Sequence, residues 1–406
     1  MLNFEDLVRT PGFVANPYDA YAQIRDNDHR GQTWAFGNWM YFRHEHATAV
    51  LRHPGFGQEE SSTTASILRR PVVQTNPPEH SRLRALLTAA FPPRSLHRLR
   101  PRIESLTDEL ISAITRAGSA DLVADFARRV PITIIGELLG MPAADRELIM
   151  RAGSVITLRP APGERPSRDQ LTNRRLARKE LRAYFRDLIR ERRRSPGDDL
   201  VTRLLEANRD GDRLEDADVV ANCVFLLVAG HATTVSLIAN SAWNLLRQPD
   251  QLATLLSLPL QNTAWVDELL RYEAPLQMTS RTALSEFTFE SRSFVPGDQV
   301  IVVLGSANRD PAAYEHPDEL DLTRTSSRHI SFGMGIHFCL GAQLAQLEGE
   351  VAIRALAQHL GRASFDPSEV QWRRNMVLRE LAYLPIRLRP ASKHDGSSGL
   401  TVASGS

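Results

Sequence analysis

Between Val219 and Leu246 the chain runs for 28 residues without one Asp, Glu, Lys or Arg. A helix of that length and composition has no charged face to offer water, so it crosses either a membrane or the interior of a large domain. Its remaining polar residues decide between the two. Asn222, His231, Thr233, Thr234, Asn240 and Asn244 are costly in lipid but are readily hydrogen-bonded inside a protein. The expectation is therefore a core helix, ended by Gln248-Pro249, in a soluble cytoplasmic protein. The segment Met1–Asp6 has no basic stretch leading into an apolar core, so no signal peptide is expected.

The flanking sequence supplies helices to surround it. Ile103, Leu106, Leu110 and Ile114 recur at helical spacing, as do Leu181, Phe185, Leu188 and Ile189. Asn16-Pro17-Tyr18 caps an amphipathic run through Ile24, and helical patterns dominate residues 79–279. Strands are fewer: Gln32–Trp34 and Trp39–Phe42 around Gly37-Asn38, then Phe287–Phe289 and Gln299–Leu304. Loops are marked by Pro160–Pro166 and by Ser195-Pro196-Gly197-Asp198. No repeat or linker divides the chain, which predicts a single large domain, mainly α with a minor β region, over 1–390. Residues 391–406, rich in Ser and Gly, read as a disordered tail. The 49 basic and 48 acidic residues nearly cancel, so a nucleic-acid partner is not expected. Two cysteines, Cys223 and Cys339, exclude a disulfide framework.

Cys339 lies in Phe332-Gly333-Met334-Gly335-Ile336-His337-Phe338-Cys339-Leu340-Gly341. A cysteine beginning a helix, here lined by Leu340, Leu344, Leu347 and Val351, has its pKa lowered by the helix N-terminus. The upstream glycines let the backbone fold tightly beside a flat ligand, and Gly341 lets that ligand approach the helix. The plainer reading of a lone cysteine is a buried structural residue, which is how Cys223 is read. Elsewhere, His80 and Arg84 are four residues apart, share one helix face and can bind a pair of carboxylates. Gly230 interrupts the long helix, and Thr233 can bond back to a carbonyl and bend it.

The ten-residue string resembles the haem-ligand loop of the cytochrome P-450 superfamily, and the resemblance extends over about residues 10–390. It implies the family's triangular, helix-rich fold with haem b (iron protoporphyrin IX) bound by Cys339, in a loop that includes Phe332 and Gly341. Glu268 and Arg271 then resemble the family's Glu-x-x-Arg pair, which Arg324 completes as a structural triad. His80, Arg84, Arg281 and His337 match propionate-binding positions. Asn308 lies in Ala307-Asn308-Arg309-Asp310, a further stretch that resembles the family. Gly230, His231, Ala232 and Thr233 match the groove where the family binds and protonates dioxygen. There the sequence departs from the pattern: Ala232 stands where an acid is usual, so protons are expected through His231, ordered water or the substrate.

The implied activity is that of a monooxygenase that uses O2 to hydroxylate or otherwise oxidise an organic substrate in bacterial secondary metabolism. Oxidative radical coupling on the same fold is the alternative within enzymes, and a haem sensor or carrier is the alternative outside them. Electrons are expected from a separate ferredoxin and its ferredoxin reductase, docking near Arg82, Arg94, Arg98, Arg100 and Arg102. The substrate pocket is expected near residues 60–75, 157–175, 223–234 and 276–280. From Arg159 to Arg194 the chain carries 13 basic and five acidic residues. The bland reading is a solvated helix face. The sharper one is a dock for an acidic substrate or a small acidic carrier protein with a tethered acyl group, involving Arg174, Arg175 and Arg178.

Overall fold

The helices that build the site are, in chain order, α1 (Glu79–Ala90), α2 (Arg100–Ala117), α3 (Arg129–Leu138), α4 (Arg146–Thr157), α5 (Arg168–Arg194), α6 (Asp216–Arg247), α7 (Ala264–Tyr272) and α8 (Ala342–Leu360). They belong to a computed structural model that describes residues 3–27, 31–58, 71–92, 96–157, 166–209, 211–325 and 328–389. The expected tail, most of the Pro160–Pro166 loop, Arg94 and parts of the two earlier expected pocket segments lie outside those residues.

The uncharged segment is the interior of α6. Asp216 and Asp218 sit in its first turn, where carboxylates suit the positive end of the helix dipole, and Arg247 closes the last turn. It is long and apolar enough to cross a membrane, yet 67% of its most apolar window is buried inside the protein. Its neighbours are α3, α4, α5 and α8, which pack along it. Several of its polar groups find partners across the interior: Asn222 accepts from the Val72 N–H (2.9 Å) and donates to the Asp218 carbonyl (2.8 Å), and Asn240 donates to the Arg379 carbonyl (2.9 Å), while Asn240 Oδ1 and Asn244 Nδ2 are buried without a partner. Each fully buried Leu or Ile around this axis contributes about 1.5–3 kcal/mol. The main core forms here, uniting Leu181, Phe185 and Ile189 of α5 with Leu237 and Ile238 of α6 and Val351 and Leu356 of α8.

The strands that matter to the site are β1 (Gln32–Ala35), β2 (Asn38–Tyr41), β3 (Phe56–Gly57), β4 (Met278–Ala283) and β5 (Gln299–Val303), ordered β1-β2-β5-β4-β3. The β1–β2 hairpin turns at Phe36-Gly37, one residue earlier than the sequence suggests, with φ of 52° and 75°. Two positive φ angles in succession are those of a type I′ hairpin turn, and Asn38 is left free to open β2. β5 pairs with β2 in parallel and with β4 antiparallel. This small sheet fixes β4, which carries Arg281 to the cavity described next. The fold class is as expected, mainly helical with a minor β region.

Candidate active site

A cavity of about 630 Å³ lies between the middle of α6 and the loop before α8. That loop closes on itself through three backbone bonds: Gly333 N–H to the Ile330 carbonyl (2.9 Å), Phe338 N–H to Gly335 (3.1 Å) and Cys339 N–H to Phe332 (2.9 Å). Gly333 and Gly335 both have φ of 70°, a region that L side chains avoid. A Cβ at Gly335 would also meet the Leu51 carbonyl oxygen at 2.7 Å. Cys339 lines the cavity and is half-buried.

The helix begins at Ala342, so Cys339 precedes it rather than starting it. The expected lowering of its pKa is overturned as well. Burial pushes the thiol up, and the opposing pulls of the Gly341 N–H and Arg84 do not win. Cys339 N–H donates back into the loop, and the helical turn opens only at Ala342 after Gly341.

Beneath the loop, Glu268 and Arg271 of α7 are fully buried and doubly hydrogen-bonded, at 2.7 and 2.8 Å. Arg324 Nε lies 3.1 Å from the same carboxylate. Arg271 also donates to the Asn308, Pro317 and Glu319 carbonyls, at 3.0, 2.7 and 2.9 Å. Asn308 in turn accepts from the Ile330 N–H (2.8 Å) and donates to Ser331 Oγ (2.7 Å). The ion pair therefore reaches the residues beside Phe332 through one asparagine, which the sequence reading quoted without assigning it this place.

His80, Arg84, Arg281 and His337 converge on the cavity from α1, β4 and the loop. The His80 and His337 rings pack edge to face with centroids 4.4 Å apart. Burial, then Arg281, His80 and Arg84, push the His337 pKa down to about 3. Burial brings Arg281 down to about 10, and it lowers His80 and Arg84 too. His80 Nδ1 and His337 Nε2 are buried with no hydrogen-bond partner. Four basic side chains held down mainly by burial, two of them with orphaned ring nitrogens, make a site suited to an anion. Gly341 lines the same cavity, and a Cβ there would meet nothing within 4 Å. A thiol, a cluster of bases and a surface left bare of side chain suit a flat metal macrocycle that carries carboxylates.

On the facing wall, Thr233 Oγ1 donates to the Ala229 carbonyl (2.8 Å) and Thr234 Oγ1 to Gly230 (3.0 Å). Gly230, Ala232 and Thr233 line the cavity, but His231 does not. Burial and Arg128 hold His231 near pKa 4, so it is neutral and turned away from the cavity. The expectation that it relays protons is therefore corrected. One acid on the wall escaped the sequence reading. Glu348 of α8 is buried, with one carboxyl oxygen unpartnered, and burial pushes it up to about 8. Its spacing from Leu344 and Val351 puts it on the inward face of α8, a signal the sequence reading passed over because the residue is charged.

α5 adds Arg178 and Arg182 to the wall, while Arg174 and Arg175 do not line it. The basic face expected for a redox partner is mostly neutralised from within. Arg82 pairs with Glu79 and Asp212 (both 3.0 Å), Arg100 with Glu350 (2.6 Å) and Arg102 with Glu137 (2.8 Å).

Comparison with known proteins adds four findings. A family model described as cytochrome P-450 matches residues 247–371. The chain is 35% identical to cytochrome P-450 107B1 of Saccharopolyspora erythraea, over 95% of this chain and 97% of that one. It is 36% identical to cytochrome P-450 monooxygenase PikC of Streptomyces venezuelae, over 93% and 92%. Among solved structures, P-450 BioI in complex with a hexadec-9Z-enoic acid-ligated acyl carrier protein superposes with a TM-score of 0.85, at 33% identity, covering 93% of this chain and 100% of that one.

Proposed function

The chain belongs to the cytochrome P-450 family and is a haem-iron monooxygenase, and we propose that its haem is haem b, bound in the cavity with Cys339 Sγ on the iron. The observation that carries this reading is the company Cys339 keeps: one thiol and four bases, two of them with orphaned nitrogens, around one cavity. His80, Arg84, Arg281 and His337 would hold the two propionates, and Phe332 and Gly341 would flank the ring. When bound, the haem supplies dioxygen cleavage and transfer of one oxygen atom to a C–H bond, favoured by electron donation from the thiolate, as is the rule for thiolate-ligated haem. Glu268, Arg271 and Arg324 hold the loop in place and touch no substrate.

The chain's own contribution to chemistry centres on α6. Gly230 removes side-chain bulk beside the oxygen-binding position. The Thr233 hydroxyl, committed as donor to Ala229, keeps its lone pairs to accept from a water and so positions that water's protons. Ala232 offers no carboxylate and His231 faces elsewhere, so the proton route runs through ordered water at Thr233. Residues 1–390 act as one haem domain in the cytoplasm, serving secondary metabolism. A ferredoxin, reduced by its reductase, supplies electrons. The substrate is a small organic molecule, free or tethered to a carrier, as the acyl-carrier complex of P-450 BioI illustrates for that relative.

The absent acid at Ala232 favours one second reading, radical coupling without return of oxygen. Turnover under isotopically labelled dioxygen separates the two. Monooxygenation places one labelled atom in the product, whereas a product without label contradicts it.

A further inference from the structure

Arg178 and Arg182 stand one turn apart on α5, and both side chains reach the cavity wall. Arg178 is exposed and Arg182 half-buried, so the pair runs from the mouth inward. Neither side chain makes a hydrogen bond or ion pair to another described residue, whereas Arg151 pairs with Glu180, Arg190 with Asp187 and Arg192 with Asp199. Burial, then Arg178 and Arg186, lower the Arg182 pKa. The pair comes to the cavity from α5, whereas the cluster around His337 comes from α1, β4 and the loop before α8. The only carboxyl group on the wall among the described residues is Glu348, which makes no ion pair and whose raised pKa keeps it largely neutral at pH 7. Beside the two arginines the wall is apolar, with Ile135, Ile156, Val224 and Phe225.

Two unpaired guanidinium groups at the mouth of an apolar cavity discriminate strongly among substrates. A cation is repelled. A neutral molecule that fills the cavity strips water from Arg182 and returns nothing for it. A carboxylate can take both forks in charge-assisted hydrogen bonds while its apolar body enters the cavity. We propose that Arg178 and Arg182 anchor the carboxylate of a free organic acid with a large apolar body, and that this is the enzyme's substrate class. The proposal rests on the reading of the cavity as a haem and substrate site. The charge pattern of α5 pointed to an anion. The geometry moves the contact from Arg174 and Arg175 to Arg182 and from the outer surface to the cavity wall.

The test is titration of the ferric holoenzyme, followed by the low-to-high-spin shift of its Soret band. The probes are dodecanoic, biphenyl-4-carboxylic and deoxycholic acids, each beside its methyl ester. Wild-type protein is expected to bind at least one acid tenfold or more tighter than its ester, about 1.4 kcal/mol. Arg178→Gln/Arg182→Gln should erase that preference by weakening the acid alone, and Arg182→Lys should restore part of it. No acid-over-ester preference in any pair, or a preference that survives the double variant, overturns the proposal. It is equally overturned if only an acyl group on a carrier protein shifts the spin state. The reduced, carbon monoxide-bound spectrum of each protein is recorded alongside. Loss of the thiolate band in wild type indicts the haem reading, whereas an intact band without acid preference indicts only the anchor.

Discussion

Glu348 is buried in the cavity wall, and its position has a measurable sign. Its carboxyl group is raised from the ordinary 4.5 to about 8. Between those pH values the unfolded chain has released a proton that the folded protein keeps, so stability falls as pH rises through that window. Glu348→Gln should flatten the slope and stabilise the protein at pH 7 by up to about 3 kcal/mol, since pH 7 lies roughly 2.5 units above the ordinary value and one unit is worth about 1.4 kcal/mol. Denaturant unfolding at pH 5 and pH 7.5 reads both effects, and an unchanged slope in the variant contradicts the assignment. A second residue-level outcome concerns protons. Thr233→Ala should raise the fraction of reducing equivalents lost as peroxide severalfold, and Ala232→Glu should change it measurably. His231→Phe should leave it within about twofold, because His231 is neutral and off the cavity wall. Equal uncoupling in the Thr233 and His231 variants would remove Thr233 from the proton route.

Two elements hold the site in opposite ways, one by rigidity and one by an opening. α7 is rigid because Glu268 and Arg271 are buried together and Arg271 spends its remaining donors on three carbonyls. Removing one partner of such a pair leaves an uncompensated buried charge, at about 3–5 kcal/mol. Glu268→Gln should therefore lower the denaturant midpoint and the haem content per chain together, and a variant normal in both would show that the pair does not brace the loop. α6 carries its opening at Gly230. A Cβ there would lie 3.7 Å from the Ile135 side chain, an ordinary contact. Gly230→Ala should thus gain up to about 1 kcal/mol of stability from helix propensity while slowing carbon monoxide rebinding. A destabilised variant with unaltered rebinding would mean that the glycine serves packing alone.

Across the molecule, what the sequence disclosed depended on whether the signal was local. The run from Val219 to Leu246 declared a core helix because it is uncharged yet carries asparagines, a histidine and threonines that are costly in lipid. The ten residues around Cys339 and the Glu268–Arg271 spacing were legible as strings, and so was the list of bases now gathered at the cavity. Burial was not legible, because it is set by residues far away in the chain. Cys339 has a raised pKa, His231 is buried off the cavity wall, Glu348 is buried with an unpartnered oxygen, and Arg182 rather than Arg174 or Arg175 reaches the wall. Each depends on how α5, α6 and α8 pack together. Cys339 Sγ would bind the iron of a haem held in that cavity. The most direct measurement is the reduced, carbon monoxide-bound spectrum of the purified protein beside that of Cys339→Ser. A strongly red-shifted Soret band in the wild type, lost in the variant, is the expected result. A wild type without that band, or a variant that retains it, would contradict the claim.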